Sequence, residues 1–123
     1  MVKVIILAAG RGERLGDLTK DNQKCLLKVG DKSPLQRNFE ACVHAGLRDI
    51  MIVVGWKAEQ VVTEVSDWMS HYDDVKVQFV PQVEQLGSGH ALLCAGKKLH
   101  DEGFWAQRDS FVIVLLGDTV LKN

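Results

Sequence analysis

Val4-Ile5-Ile6-Leu7-Ala8-Ala9-Gly10-Arg11-Gly12-Glu13-Arg14-Leu15 decides the fold. An unbroken apolar run is what a parallel strand buried on both faces needs. This one runs into Gly10 and Gly12, which let the backbone turn sharply and leave its N–H groups bare. Bare N–H groups beside Arg11 and Arg14 make a site for phosphate. A plain turn between a strand and a helix would need no arginines. Lys24 follows a short polar loop, and Asp118 ends another apolar run much later. Together these residues point to a site for a nucleoside triphosphate and a metal ion.

Two common nucleotide motifs do not fit. The dinucleotide fingerprint is G-x-G-x-x-G opening a helix, with an acid about 20 residues on. Here the third glycine is Gly16, one residue too late, and the polar stretch from Asp17 to Gln23 does not open an amphipathic helix. The second apolar strand ends Val53-Val54-Gly55-Trp56, without an acid to hold a ribose. The G-x-x-x-x-G-K-[ST] loop is also absent.

The rest of the chain reads as strand, helix, strand, helix, strand, helix, strand. The first strand is expected over 3–9. Ser33-Pro34-Leu35-Gln36 then starts a helix, with Ser33 as cap, Pro34 in the first position and Gln36 completing a capping box. Leu35, Phe39 and Val43 share a face, and Gly46 ends the helix. A second strand covers 49–54, and a second helix about 58–71 carries Val61, Val62, Val65, Trp68 and Met69 at helical spacing. The third strand, 75–80, alternates as a half-exposed edge would. A third helix, about 88–99, turns Leu92, Ala95 and Leu99 inward, and a fourth strand covers 110–116. The expected fold is α/β, a Rossmann-like three-layer sandwich on a parallel sheet of order 3-2-1-4. That order puts the topological switch between strands one and four, where ligands bind at the carboxyl ends. The glycine loop and Asp118 leave the sheet at that point.

Composition narrows the function. Of 123 residues, 46% are hydrophobic and 25% charged, ordinary for a soluble globule. A net charge of −1 offers no electrostatic case for nucleic acid. No apolar stretch approaches the roughly 20 residues of a membrane span, and the first apolar run is too short for a secretion signal. Cys25, Cys42 and Cys94 are widely spaced and suit reduced thiols, so a cytoplasmic location is expected. His90 reads as a partly buried histidine on the third helix's first turn, and Trp56, Trp68 and Trp105 as packing groups.

With these residues in view, the chain resembles the sugar-phosphate nucleotidylyltransferase superfamily in four places. The first is Leu7 to Leu15. The second, Lys24-Cys25-Leu26-Leu27-Lys28-Val29, looks like the family's P-K-x-L-L-x-V. The third, Gln82-Val83-Glu84-Gln85-Leu86-Gly87-Ser88-Gly89-His90-Ala91, is similar to the Q-x-E-Q-L-G-T-G-H-A of the N-acetylglucosamine-1-phosphate uridylyltransferase branch. The fourth is Leu116-Gly117-Asp118. Gln23 stands where most members have proline, and residues 17–27 look closer to the phosphocholine cytidylyltransferase branch.

The resemblance implies nucleotidyl transfer. A phosphate oxygen of a sugar 1-phosphate attacks the α-phosphorus of a nucleoside triphosphate, pyrophosphate leaves and a nucleotide sugar forms. The implied catalytic residues are Arg14, holding the β and γ phosphates, and Lys24, bridging the α-phosphate and the acceptor phosphate. Leu7, Ala8, Ala9, Gly10, Gly12, Arg14, Gln82, Gly87 and Ser88 would bind the nucleotide, with Gln82 and Gly87 reading the base, pyrimidine before purine. Asp118 would hold Mg²⁺, a hard cation suited to carboxylate oxygen. Two other functions are compatible: cytidylyl transfer to phosphocholine or a similar alcohol phosphate, and a non-catalytic nucleotide-binding module. The expected partners are a nucleoside triphosphate and a phosphorylated small-molecule acceptor, with neither nucleic acid nor membrane.

Family catalytic domains are longer than this chain. Residues 1–123 are therefore read as the nucleotide-binding N-terminal portion of such a domain, incomplete as an enzyme alone. In the 3-2-1-4 order the apolar fourth strand is an outer edge, a place for self-association.

Overall fold

Each apolar run becomes a strand of one sheet. The computed structural model describes residues 2–9, 24–28, 30–82, 88–104 and 111–117. In chain order come β1 (Val2–Ala8), a 3-10 turn (Lys24–Leu26), α1 (Pro34–His44), β2 (Asp49–Val54), α2 (Ala58–Met69), β3 (Lys76–Pro81), α3 (Ser88–Asp101) and β4 (Phe111–Leu116). The strand pairings among the described residues, β1 with β2, β1 with β4 and β2 with β3, are parallel, and the order is β3-β2-β1-β4, as expected.

Strand alternation sorts the core into two layers. Val4, Ile6 and Ala8 of β1, with Ile50, Ile52 and Val54 of β2, face α1 and α2. Ile5 and Ala9, with Met51, Val53 and Val80, face α3. The arrangement follows from the single hand of parallel crossovers. While the chain steps from β1 through β2 to β3, its helices fall on one face. When it returns past β1 to start β4, the next helix must fall on the other.

Local chemistry explains the helix ends. Ser33 Oγ accepts the Gln36 N–H at 3.2 Å, capping α1 as expected. The reciprocal half of the capping box is replaced, because the Gln36 carboxamide donates to Glu40 Oε1 at 3.4 Å. Gly46, at φ +82°, follows the end of α1 and suits a left-handed exit. Phe39 and Trp68 join α1 to α2, their ring centroids 5.7 Å apart.

One expectation needs correction. On α3 the buried side chains are Ala91, Ala95 and Leu99, while Leu92 is 40% exposed. Two alanines let the helix lie close to the sheet, and that contact selects the face. The apolar β4 stands at the outer edge, as expected from the order, and there Phe111, Ile113, Val114 and Leu116 are all exposed. Among the described residues β1 pairs one edge of β4 and nothing pairs the other.

Candidate functional site

Three segments far apart in sequence meet at the carboxyl end of β1. Leu7 pairs in register with Leu116, so Ala8 and Gly117 leave the sheet side by side. The Gly117 N–H donates to the Leu7 carbonyl at 2.9 Å. A Cβ on Gly117 would lie 2.8 Å from that same oxygen, 3.4 Å from Cys25 Cβ and 3.5 Å from Ala8 Cβ. Only glycine fits so close to a carbonyl. Cys25, buried in the 3-10 turn, is the third partner, so the main chain after Lys24 is anchored at the β1–β4 junction. This is the switch point expected from the strand order.

A second tie to this junction was not legible in sequence. Asn38 of α1 is fully buried, and its Nδ2 donates to the Leu116 carbonyl at 3.2 Å. A buried carboxamide is costly unless hydrogen-bonded, so the bond fixes α1 against the end of β4. A polar residue on the apolar face set by Leu35 and Phe39 was the available signal.

Gln82 lies at the same edge of the sheet, two strands away from β1. Its N–H donates to the Val54 carbonyl at 2.7 Å, extending the β2–β3 pairing by one bond. Gln82 is 4% exposed, and its Nε2 lies 2.9 Å from Nδ1 of His90 in the first turn of α3. Strands are spaced by about 4.8 Å, so Gln82 and the β4 exit stand about 14 Å apart along the edge. Between them the Trp56 N–H donates to the Ala9 carbonyl at 3.3 Å, closing the turn after β2.

Of the residues expected at the site, Leu7, Ala8, Ala9 and Gln82 stand on this edge. Ser88 opens α3 and the main chain of Lys24 opens the 3-10 turn. Gly10, Gly12, Arg14, Gly87 and Asp118 lie outside the described residues. Among the described residues no three His, Cys, Asp or Glu side chains gather as a metal-binding group, and no helix is long and apolar enough to cross a membrane.

Groups elsewhere are structural. Burial pushes the Cys42 thiol up, which makes it a packing group at neutral pH. A hydrogen bond and the charge of Glu40 push the Lys32 ammonium up, a pairing between α1 and the segment before it. An open cleft of about 420 Å³, lined by Val2, Arg48, Asp49, Asp74 and Lys76, lies at the amino ends of the strands. Ligands of such sheets bind at the opposite edge.

Comparison with known proteins agrees with this geometry. The family model described as nucleotidyl transferase matches residues 3–123. The chain is 32% identical to the UTP–glucose-1-phosphate uridylyltransferase AglF of Haloferax volcanii, over 99% of this chain and 49% of that protein. It is 34% identical to a glucose-1-phosphate thymidylyltransferase of Streptomyces griseus, over 97% of this chain and 33% of that protein. Among solved structures, HddC from Yersinia pseudotuberculosis, complexed with GMP-PN, superposes with a TM-score of 0.71 at 28% identity, covering 98% of this chain and 49% of that one. The chain belongs to the nucleotidyl transferase family, within the sugar-phosphate nucleotidylyltransferase superfamily that its motifs resemble. It spans half or less of the length of these relatives.

Proposed function

We propose that residues 1–123 form the nucleotide-binding portion of an enzyme that transfers a nucleotidyl group from a nucleoside triphosphate to a sugar 1-phosphate, in the cytoplasm. The observation that carries this reading is the junction of Leu7, Cys25 and Gly117. It brings the end of β1, the 3-10 turn of Cys25 and the end of β4 to one point of the sheet. The Haloferax and Streptomyces relatives are named for glucose 1-phosphate, which favours a sugar phosphate over phosphocholine as acceptor.

An acceptor phosphate is already ionised at neutral pH, so the reaction needs no general base. Catalysis is then positioning plus cationic stabilisation of the phosphoryl oxygens. Arg14 binds the β and γ phosphates, and backbone N–H groups of Gly10 and Gly12 hold the phosphates beside β1. Lys24 orients the α-phosphate toward the acceptor oxygen. Pyrophosphate departs as the new P–O bond forms. Gln82, Gly87 and Ser88 hold the base at the other end of the edge. The donor that fits a divalent cation is the Asp118 carboxylate, an oxygen ligand of the kind Mg²⁺ prefers. Bound there, Mg²⁺ would neutralise charge on the phosphates.

The test is calorimetry and turnover on the intact protein. Arg14→Ala should weaken triphosphate binding about 10–100-fold, the value of one or two charge-assisted hydrogen bonds, and leave free nucleoside binding unchanged. Lys24→Ala should lower kcat more than it raises KM, because it acts on the reacting phosphate. Equal losses for triphosphate and nucleoside would remove Arg14 from the phosphates.

The open edge of β4 completes the proposal. Phe111 is 62% exposed on a strand with one unpaired side among the described residues. The 123-residue chain is expected to associate with a second copy through this edge. Sedimentation of a strictly monomeric 123-residue chain at high concentration would contradict it.

A further inference from the structure

The peptide group between Leu116 and Gly117 is gripped from both sides. In a trans peptide the C=O and the N–H point in opposite directions. The Gly117 N–H points toward β1 and donates to the Leu7 carbonyl at 2.9 Å. The Leu116 C=O therefore points the other way, to the side of β4 on which no strand stands among the described residues. There it accepts from Asn38 Nδ2 at 3.2 Å. Two opposed hydrogen bonds fix the plane of this peptide, where the β1 bond alone would leave it a hinge. Asn38 is fully buried on α1, and Leu35, Phe39 and Cys42 of the same helix belong to the core. The Ser33 cap and Pro34 fix the start of that helix. The carboxamide is thus mounted on a rigid element, which holds a contact more closely than a loop does. A leucine of similar volume would suit the apolar stripe equally well, so packing alone does not ask for a carboxamide here.

We infer that Asn38 is a positioning residue for the metal-dependent step: by fixing the Leu116–Gly117 peptide it aims the residue that follows, Asp118. The inference rests on the reading that Asp118 holds the divalent cation. Gly117 keeps the junction narrow, and Asn38 supplies its outer anchor. Mg²⁺ demands near-ideal oxygen geometry, so a carboxylate carried off its line binds the ion more weakly. The nucleotide's other contacts do not pass through this peptide and keep their strength.

The probes are Mn²⁺ and UTP, on the intact protein with no acceptor phosphate present. Mn²⁺ affinity is read by electron paramagnetic resonance with UTP bound, and UTP affinity is read by calorimetry with all metal chelated. Asn38→Leu keeps the volume and removes the donor. It should weaken Mn²⁺ about tenfold, the worth of one hydrogen bond, and leave metal-free UTP binding within about twofold. Asn38→Val, which is smaller, makes the same test if leucine is not accommodated. Asn38→His can bring an Nδ1–H to the place of Nδ2 and should restore most of the Mn²⁺ affinity. Unchanged Mn²⁺ affinity in Asn38→Leu, while Asp118→Asn weakens it, would overturn the inference about Asn38 alone. So would an equal loss of metal-free UTP binding, or a loss as large in Asn38→His as in Asn38→Leu, since either assigns the effect to packing. If Asp118→Asn leaves Mn²⁺ affinity unchanged, the reading of Asp118 as the metal ligand falls, and this inference with it.

Discussion

Replacing Gly117 with alanine is expected to cost the intact enzyme about 100-fold in turnover while leaving it folded. The cause is room rather than backbone freedom. Positive φ angles occur at Gly30, Gly46 and Gly103 but not at Gly117. The added Cβ would meet the Leu7 carbonyl at 2.8 Å, and a backbone oxygen cannot swing aside as a side-chain tip can. The exit of β4 must move instead, and the N–H bond to Leu7 lengthens with it. Overpacking of this kind costs about 1–3 kcal/mol of stability. Asp118 is the next residue, so the displacement passes directly to the proposed metal ligand. A misplacement of about 1 Å at a reacting centre can cost about 100-fold. Pyrophosphate release and a urea melt, measured on the same preparation, separate the two effects. Turnover close to that of the parent would mean that the β1–β4 junction does not position the chemistry.

Asp49→Ala should cost the fold about 2 kcal/mol although it lies remote from the site. Lys3, on β1, has a side chain only 8% exposed, and its Nζ donates to Asp49 Oδ1 at 2.8 Å on β2 and to Gln78 Oε1 at 3.1 Å on β3. One ammonium thus stitches three neighbouring strands. Removing the carboxylate leaves a buried cation with one neutral partner. Breaking a sealed ion pair costs about 3–5 kcal/mol, and a cost of about 2 kcal/mol is expected here because Asp49 keeps 25% of its side-chain surface in water. Lys3→Met should cost less, since it removes the charge along with its need for a partner. Denaturant midpoints of the two variants decide the matter. An Asp49→Ala midpoint at or above that of Lys3→Met would show that the pair does not act through burial of the lysine.

Much of the architecture was written locally. Unbroken apolar runs marked β1 and β2, and helical spacing of Leu35, Phe39 and Val43 marked α1. Ser33 followed by Pro34 set the start of α1 within one residue, because a side-chain cap and a fixed φ act on their own few bonds. The sheet order followed from the contrast between apolar and alternating strands. For the site, the glycine–arginine stretch and the G-D after β4 pointed to one corner, and the sheet order brought their strands together.

What sequence could not settle were quantities that belong to the approach of whole elements. Ala91 rather than Leu92 faces the sheet, because the distance between α3 and the strands selects small side chains. Lys3 lies in an apolar run but finds its partners on β2 and β3 only when the strands align. Asn38 is a polar residue on an apolar stripe until the end of β4 arrives to accept its hydrogen bond. By itself the sequence determined the elements, their order in the sheet and the family, because caps, periodicity and a glycine turn are short-range chemistry. Only the tertiary structure decided that Gly117 has no space for a Cβ and that His90 holds Gln82, because both depend on atoms brought together by packing rather than by the chain.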